Sequence, residues 1–113
     1  MTLIYKIVPA PLWREAEEAG AFRGAPVDLA DAYIHFSTAA QIAETAAKHF
    51  AGQRDLLLVA VEAEALGEAL RYEPSRGGAL FPHLYETLPL SAVRSVEPLE
   101  LAADGRHLFP NLA

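Results

Sequence analysis

Tyr33-Ile34-His35-Phe36-Ser37-Thr38 reads as a strand that runs into a helix. In an extended chain residues two apart share a face, so His35 and Ser37 project together while Ile34 and Phe36 point into an apolar layer. Thr38 opens an Ala-rich segment with Gln41 three positions on, the spacing of a capping box. The pattern predicts a strand over 33–37 and a helix over 38–50, with Ile42, Ala43, Ala46, Ala47 and Phe50 on its apolar face. A His and a Ser at the mouth of a strand–helix turn can form a ligand site. They can equally serve structure alone, with Ser37 or Thr38 capping the helix and His35 bonding nearby backbone.

A second stretch, Gly77-Gly78-Ala79-Leu80-Phe81-Pro82-His83-Leu84-Tyr85, repeats the theme. The double glycine permits backbone geometries closed to other residues, and Pro82 pushes Phe81 towards an extended conformation. His83 and Tyr85 then share a face. The structural alternative has Phe81, Leu84 and Tyr85 plugging the core and His83 exposed. Two such segments predict a polar cleft lined by His35, Ser37, His83 and Tyr85.

Outward from these stretches, residues 3–8 read as a first strand, and Pro11 opens a helix that Gly20 stops. Residues 21–32 read as a connector with turn residues Gly24, Pro26, Asp28 and Asp31. The unbroken run Leu56-Leu57-Leu58-Val59-Ala60-Val61 suits a strand covered on both faces. A short helix is expected over 63–70, extended chain over 71–73, short strand pieces over 88–101 and a hairpin turn at Asp104-Gly105. The mixture predicts an α+β fold with a largely antiparallel sheet, organised as one domain over 1–113.

Bulk properties limit the function. The 113 residues suffice for one core, and 52% hydrophobic content favours a folded globule. A net charge of −6 argues against general nucleic-acid binding, which relies on neutralising phosphates. The absence of cysteine excludes disulfides and thiolate zinc sites. Lys6 and Pro9 interrupt the apolar opening, so no signal peptide is expected, and no apolar run is long enough to cross a bilayer. The expectation is a cytoplasmic protein without membrane association.

Specific chemistries can be weighed in turn. His35, His49, His83 and His107 contain no pair at the spacing of a helical zinc motif, so no metal is expected. Ser37 lacks the Gly-x-Ser-x-Gly elbow of a serine hydrolase. No glycine pattern of a phosphate loop or dinucleotide fold occurs.

Read in order, several parts resemble one family. They are Tyr5-Lys6-Ile7, Trp13, the Ile34-His35-Phe36-Ser37-Thr38 segment, Gln41, the Leu-rich strand, Tyr72-Glu73 and Gly77-Gly78-Ala79-Leu80-Phe81-Pro82-His83-Leu84-Tyr85. The chain resembles, over almost its whole length, the small bacterial family called domain of unknown function 952. That family is similar in fold to ADP-ribosyltransferases, whose split β-sheet grips NAD in a cleft. The resemblance implies a compact split sheet and NAD, or an ADP-ribose-like nucleotide, as the small-molecule partner, with ADP-ribosyl transfer as the enzyme chemistry. His35 with Ser37 resembles the ribose-holding His and its hydroxyl neighbour, with Phe36 standing where a glycine is usual. The resemblance implies catalytic roles for His35, Ser37 and His83 and ligand-binding roles for Tyr72, Tyr85 and Thr38. Tyr85 or Tyr72 would stack on nicotinamide. The acidic candidates are Glu97, Glu100, Glu73 and Glu86, and Arg71, Arg76 and Arg106 are candidate phosphate contacts. The alternative reading is a non-catalytic binding module that keeps the fold without the chemistry.

Overall fold

The first strand, β1 (Leu3–Pro9), has a buried run in its middle. Alternation sends Tyr5 and Ile7 to one apolar cluster and Ile4 and Val8 to another, with Lys6 on the same side as Ile4 and Val8. A lysine inside the core is thus written into the strand's period. This computed structural model describes residues 2–112, apart from the side chain of Arg76; Arg76 as a phosphate contact therefore lies outside the described residues.

After β1 come α1 (Ala10–Ala19), β2 (Ala21–Phe22), α2 (Pro26–Asp31), β3 (Ile34–His35), β4 (Ser37–Thr38) and α3 (Ile42–His49). The second half holds β5 (Leu56–Glu62), β6 (Leu70–Ser75), β7 (Ala79–Leu84), β8 (Leu88–Pro89), β9 (Val93–Leu101) and β10 (His107–Leu108), with 3-10 turns between some of them. The strands form a five-stranded sheet in the order β10-β9-β5-β1-β4, a three-stranded sheet β3-β7-β6 and a pair β2-β8. Every pairing is antiparallel. The fold is α+β with a mostly antiparallel, curled sheet and a few helices.

The aliphatic run of β5 is covered on both faces, as its sequence predicts. Val59 and Val61 join Ile4, Val8, Trp13, Phe22, Ile34, Phe36 and Leu84 in one cluster. Leu56, Leu58 and Ala60 join Tyr5, Ile7, Ile42 and Ala46 in the other. Each fully buried side chain of this size stabilises by about 1.5–3 kcal/mol. Among the described residues no helix is long and apolar enough to cross a membrane.

Five local expectations need correction. The strand over 33–37 divides into β3 and β4, which belong to different sheets. Phe36 lies at the crossing, buried, with its N–H donated to the Pro82 carbonyl at 2.9 Å. The following helix starts at Ile42 because β4 pairs Thr38 with Ile4 of β1. Half of the expected capping box survives: Gln41 Oε1 accepts the Thr38 N–H at 3.0 Å. Ala43 and Ala47 are exposed and Phe50 is half-buried, so the core face of α3 is Ile42 and Ala46. The connector over 21–32 contains β2 and α2, and β9 is continuous over nine residues.

Candidate functional site

The three-stranded sheet assembles a row of chemically active side chains. β3 and β7 pair His35 with His83, and β7 and β6 pair His83 with Arg71. Residues opposed in an antiparallel pair share a face. Tyr33 precedes His35 by two and Tyr85 follows His83 by two, so both rings fall on that face. Tyr33 lies at the centre, its ring centroid 4.6 Å from His35, 4.2 Å from His83 and 5.2 Å from Tyr85. The two imidazoles are 5.6 Å apart, edge to face. Arg71 sets its guanidinium 5.0 Å from the centre of the Tyr85 ring, within cation–π range.

Each imidazole meets a carboxylate through Nδ1. For His35 the partner is buried Asp28 Oδ1 at 2.7 Å, and its Nε2 meets Asp31 Oδ2 at 2.9 Å. Asp28 also accepts the backbone N–H groups of His35 and Ala25, at 3.0 and 2.7 Å. Lys6 stands behind this group, 3.1 Å from Asp28 Oδ2 and donating to the His35 carbonyl at 2.8 Å. Burial pushes the Asp28 carboxyl up, but the His35 side chain, the Lys6 charge and the backbone donors outweigh it and hold it below its ordinary value. Burial also pulls the Lys6 ammonium down, against the attraction of Asp28.

His83 is almost wholly buried and its Nδ1 meets Glu73 Oε1 at 2.8 Å. The Tyr85 hydroxyl donates to the same oxygen at 2.7 Å. That bond, followed by the one from His83, holds the Glu73 carboxyl below its ordinary value, and in return pushes the Tyr85 hydroxyl up. Burial, then the charges of Asp31 and Glu73, push the Tyr33 hydroxyl up as well. A hollow of about 190 Å³ opens beside the rings, with Arg23, Leu29, Tyr33, Tyr85 and Glu86 among its walls. Two larger hollows, of about 480 and 490 Å³, lie elsewhere and contain no member of the cluster.

Of the residues singled out in the sequence, the structure brings together His35, His83 and Tyr85. Ser37 does not join them: the sheet change at Phe36 carries it beneath α3, where its hydroxyl pairs with that of Thr45 at 2.8 Å. Thr38 sits on β4 against β1, in the other sheet. Tyr72 alternates with Arg71 and Glu73 on β6 and so leaves from the opposite face. Glu97 and Glu100 lie on β9 in the five-stranded sheet, away from the rings. Phe36 points into the core and leaves the face of His35 clear. Glu73 is the acidic side chain bonded to His83 and Tyr85. Sequence reasoning missed Tyr33, Asp28, Asp31 and Lys6. Tyr33 had a signal, since it shares the two-residue spacing on which Ser37 was chosen. Among the described residues no three His, Asp or Glu side chains are grouped to hold a metal ion.

The profile of the family described as Protein of unknown function (DUF952) matches residues 7–96, and the chain belongs to that family. The chain is similar to protein CC0527 from Caulobacter crescentus, a structural-genomics target. Against its crystal structure the identity is 54%, over 95% of this chain and 94% of that one, with a TM-score of 0.91. A crystal structure of a double mutant of CC0527 gives 52% identity, 95% and 94% coverage and a TM-score of 0.91. The solution structure of CC0527 gives 56% identity, 94% and 91% coverage and a TM-score of 0.84. The comparison with curated proteins gave no match.

Proposed function

We propose that the cluster around Tyr33 is a ligand site for NAD or an ADP-ribose-like nucleotide, on a split sheet related to that of ADP-ribosyltransferases. The observation that carries this reading is the contact of Tyr33 with His35, His83 and Tyr85 beside the Glu73 carboxylate. Aromatic faces stack on a planar ring. Imidazoles and a carboxylate bond ribose hydroxyls, and the carboxylate offsets positive charge at an anomeric carbon. Drug-sized ligands fill pockets of about 300–1,000 Å³. The hollow of about 190 Å³ therefore suits one ring of the ligand, with the remainder lying across open surface.

A second reading, a binding module without chemistry, draws support from His35. Both of its ring nitrogens are engaged by carboxylates of the same chain. Isothermal titration of the folded protein with NAD and ADP-ribose tests the site. Tyr85→Phe should bind, because the ring remains, while Tyr33→Ala and Tyr85→Ala should lose binding. No detectable binding of either compound to the wild type removes the nucleotide reading. Binding without release of nicotinamide favours the module.

A further inference from the structure

We infer that the outer edge of β6 docks an extended peptide of another protein, one that sets an aromatic residue beside Tyr72 and a following acidic residue beside Arg71; this stands apart from the nucleotide site. β6 ends the three-stranded sheet, so one of its edges is unpaired. The other terminal strands, β3, β4 and β10, and both members of the β2-β8 pair are two residues long, whereas β6 has six. A long open edge is a template for a further strand. Its backbone directions follow from one bond. The Pro82 carbonyl accepts the Phe36 N–H, so Pro82 faces the β3 side of β7. Successive residues of a strand turn to alternate neighbours, so Phe81 and His83 face β6, where Glu73 and Arg71 are their register partners. Leu70, Tyr72 and Pro74 alternate with those two and turn their backbone groups outward. On that edge the Leu70 N–H is already donated to the Gly67 carbonyl, and Pro74 has no N–H. What remains is one donor, the Tyr72 N–H, and three acceptors, the carbonyls of Leu70, Tyr72 and Pro74.

This pattern selects the occupant. Two copies of the chain meeting along β6 bring one donor each, so they form at most two backbone bonds in any register. A peptide with ordinary N–H groups, lying antiparallel to β6, donates to all three carbonyls and accepts from Tyr72, which makes four. Pro74 and the turn at Leu70 thus blunt self-pairing and leave the edge open to a foreign strand. Side chains narrow the partner further. The peptide residue opposite Tyr72 shares the face of a ring that is 44% exposed, where an aromatic partner gains most from cross-strand contact. The next peptide residue lies opposite Arg71, on the other face. There Glu73 is taken by His83 and Tyr85. Arg71 meets the Tyr85 ring, and among the described residues no carboxylate stands within ion-pair distance of it. A carboxylate on the incoming strand complements that guanidinium.

The probe is a capped peptide of alternating threonine and valine with a tyrosine–glutamate pair at its centre, titrated into the whole chain and followed by amide NMR and hydrogen exchange. In the free protein the Arg71 and Glu73 N–H groups should exchange slowly and the Tyr72 N–H fast, a readout independent of any partner and of any variant. The peptide should slow the Tyr72 N–H. Methylating the backbone nitrogen of the peptide tyrosine removes the donor to the Tyr72 carbonyl and should weaken binding by about ten-fold. Replacing the peptide glutamate by lysine should weaken it about two- to five-fold, as should Arg71→Ala with the original peptide. Tyr72→Pro keeps the bonds to β7, because position 72 faces outward, and should abolish binding with a urea midpoint near that of wild type. A slow Tyr72 N–H in the free monomer means a closed edge and overturns the inference. A concentration-dependent dimer that protects Tyr72 assigns the edge to a second copy and also overturns it. So does an unchanged Tyr72 amide at millimolar peptide, and so does equal binding of the methylated peptide.

Discussion

His35 and His83 face each other across β3 and β7, yet one is built into the core and the other is presented by it. Behind His35 stand Asp28 and Lys6, which bind its ring, its N–H and its carbonyl together. Behind His83 stand Glu73 and Tyr85, both partly open to water: Glu73 bonds the ring and the Tyr85 hydroxyl, and the Tyr85 ring lies beside Tyr33 and Arg71. Side chains that tie a backbone to the space between two sheets fix the position of a strand. Side chains that touch one ring nitrogen fix only a direction. The His35 side therefore governs stability, and the His83 side governs what the site can do.

The largest test of this contrast is Asp28→Ala. It leaves the Lys6 ammonium buried without its partner and two backbone N–H groups without an acceptor. Removing one partner of a buried ion pair costs about 3–5 kcal/mol, which urea denaturation would register as a large drop in midpoint. A loss under ~1 kcal/mol would break the contrast. Acid should act through the same carboxyl. Because the folded protein holds Asp28 below its ordinary value of 3.8, the unfolded chain binds the proton first as pH falls. The stability that Asp28 contributes is complete above that ordinary value and is lost as pH drops below it, towards the folded value. Midpoints from pH 7 to pH 3 should fall more steeply in wild type than in Asp28→Asn.

The same contrast explains what the sequence allowed to be read. Alternation in β1 and the aliphatic run of β5 are local patterns, and both strands lie where the patterns place them. His35, His83 and Tyr85 were legible because a two-residue spacing survives wherever a strand stays in one sheet. Ser37 failed because the chain changes sheets at Phe36, a decision made by the Pro82 carbonyl 46 residues away in sequence. Asp28 read as a turn residue because its partners, Lys6 and His35, are 22 and 7 residues distant. Lys6 did carry a signal: it is the one charged residue within an otherwise apolar strand, and a lone charge there asks for a buried counterion.

Smaller effects sharpen the contrast on either side of Phe36. Gly24 sits at φ +126°, and a Cβ there would meet the Asp28 Cβ at 2.8 Å. Gly24→Ala combines a disfavoured backbone with pressure on the buried carboxylate, and should destabilise by more than ~1 kcal/mol. Ser37→Ala removes a buried hydroxyl pair with Thr45 and should cost about 1 kcal/mol. Since Ser37 lies beneath α3, nucleotide binding in that variant should equal wild type by titration. A loss of binding with normal stability would return Ser37 to the site.

The smallest change expected is Tyr85→Phe, and it addresses direction alone. The ring stays over Tyr33 and under Arg71, so the aromatic contacts persist. What disappears is one hydroxyl bond to Glu73 Oε1, the main influence holding that carboxyl down. The Glu73 titration, followed by carbon NMR of its side-chain carboxyl, should therefore move up towards the ordinary value of 4.5 while remaining below it, because the His83 bond persists. The urea midpoint should hardly move, since Glu73 and Tyr85 sit at the water boundary. The His35 resonances should not move either, because Asp28 and Lys6 hold that ring from the other side. A Glu73 titration unchanged in Tyr85→Phe would mean that the Tyr85 hydroxyl does not position the carboxylate. A shift at His35 would mean that the two halves of the cluster form one coupled unit and not two.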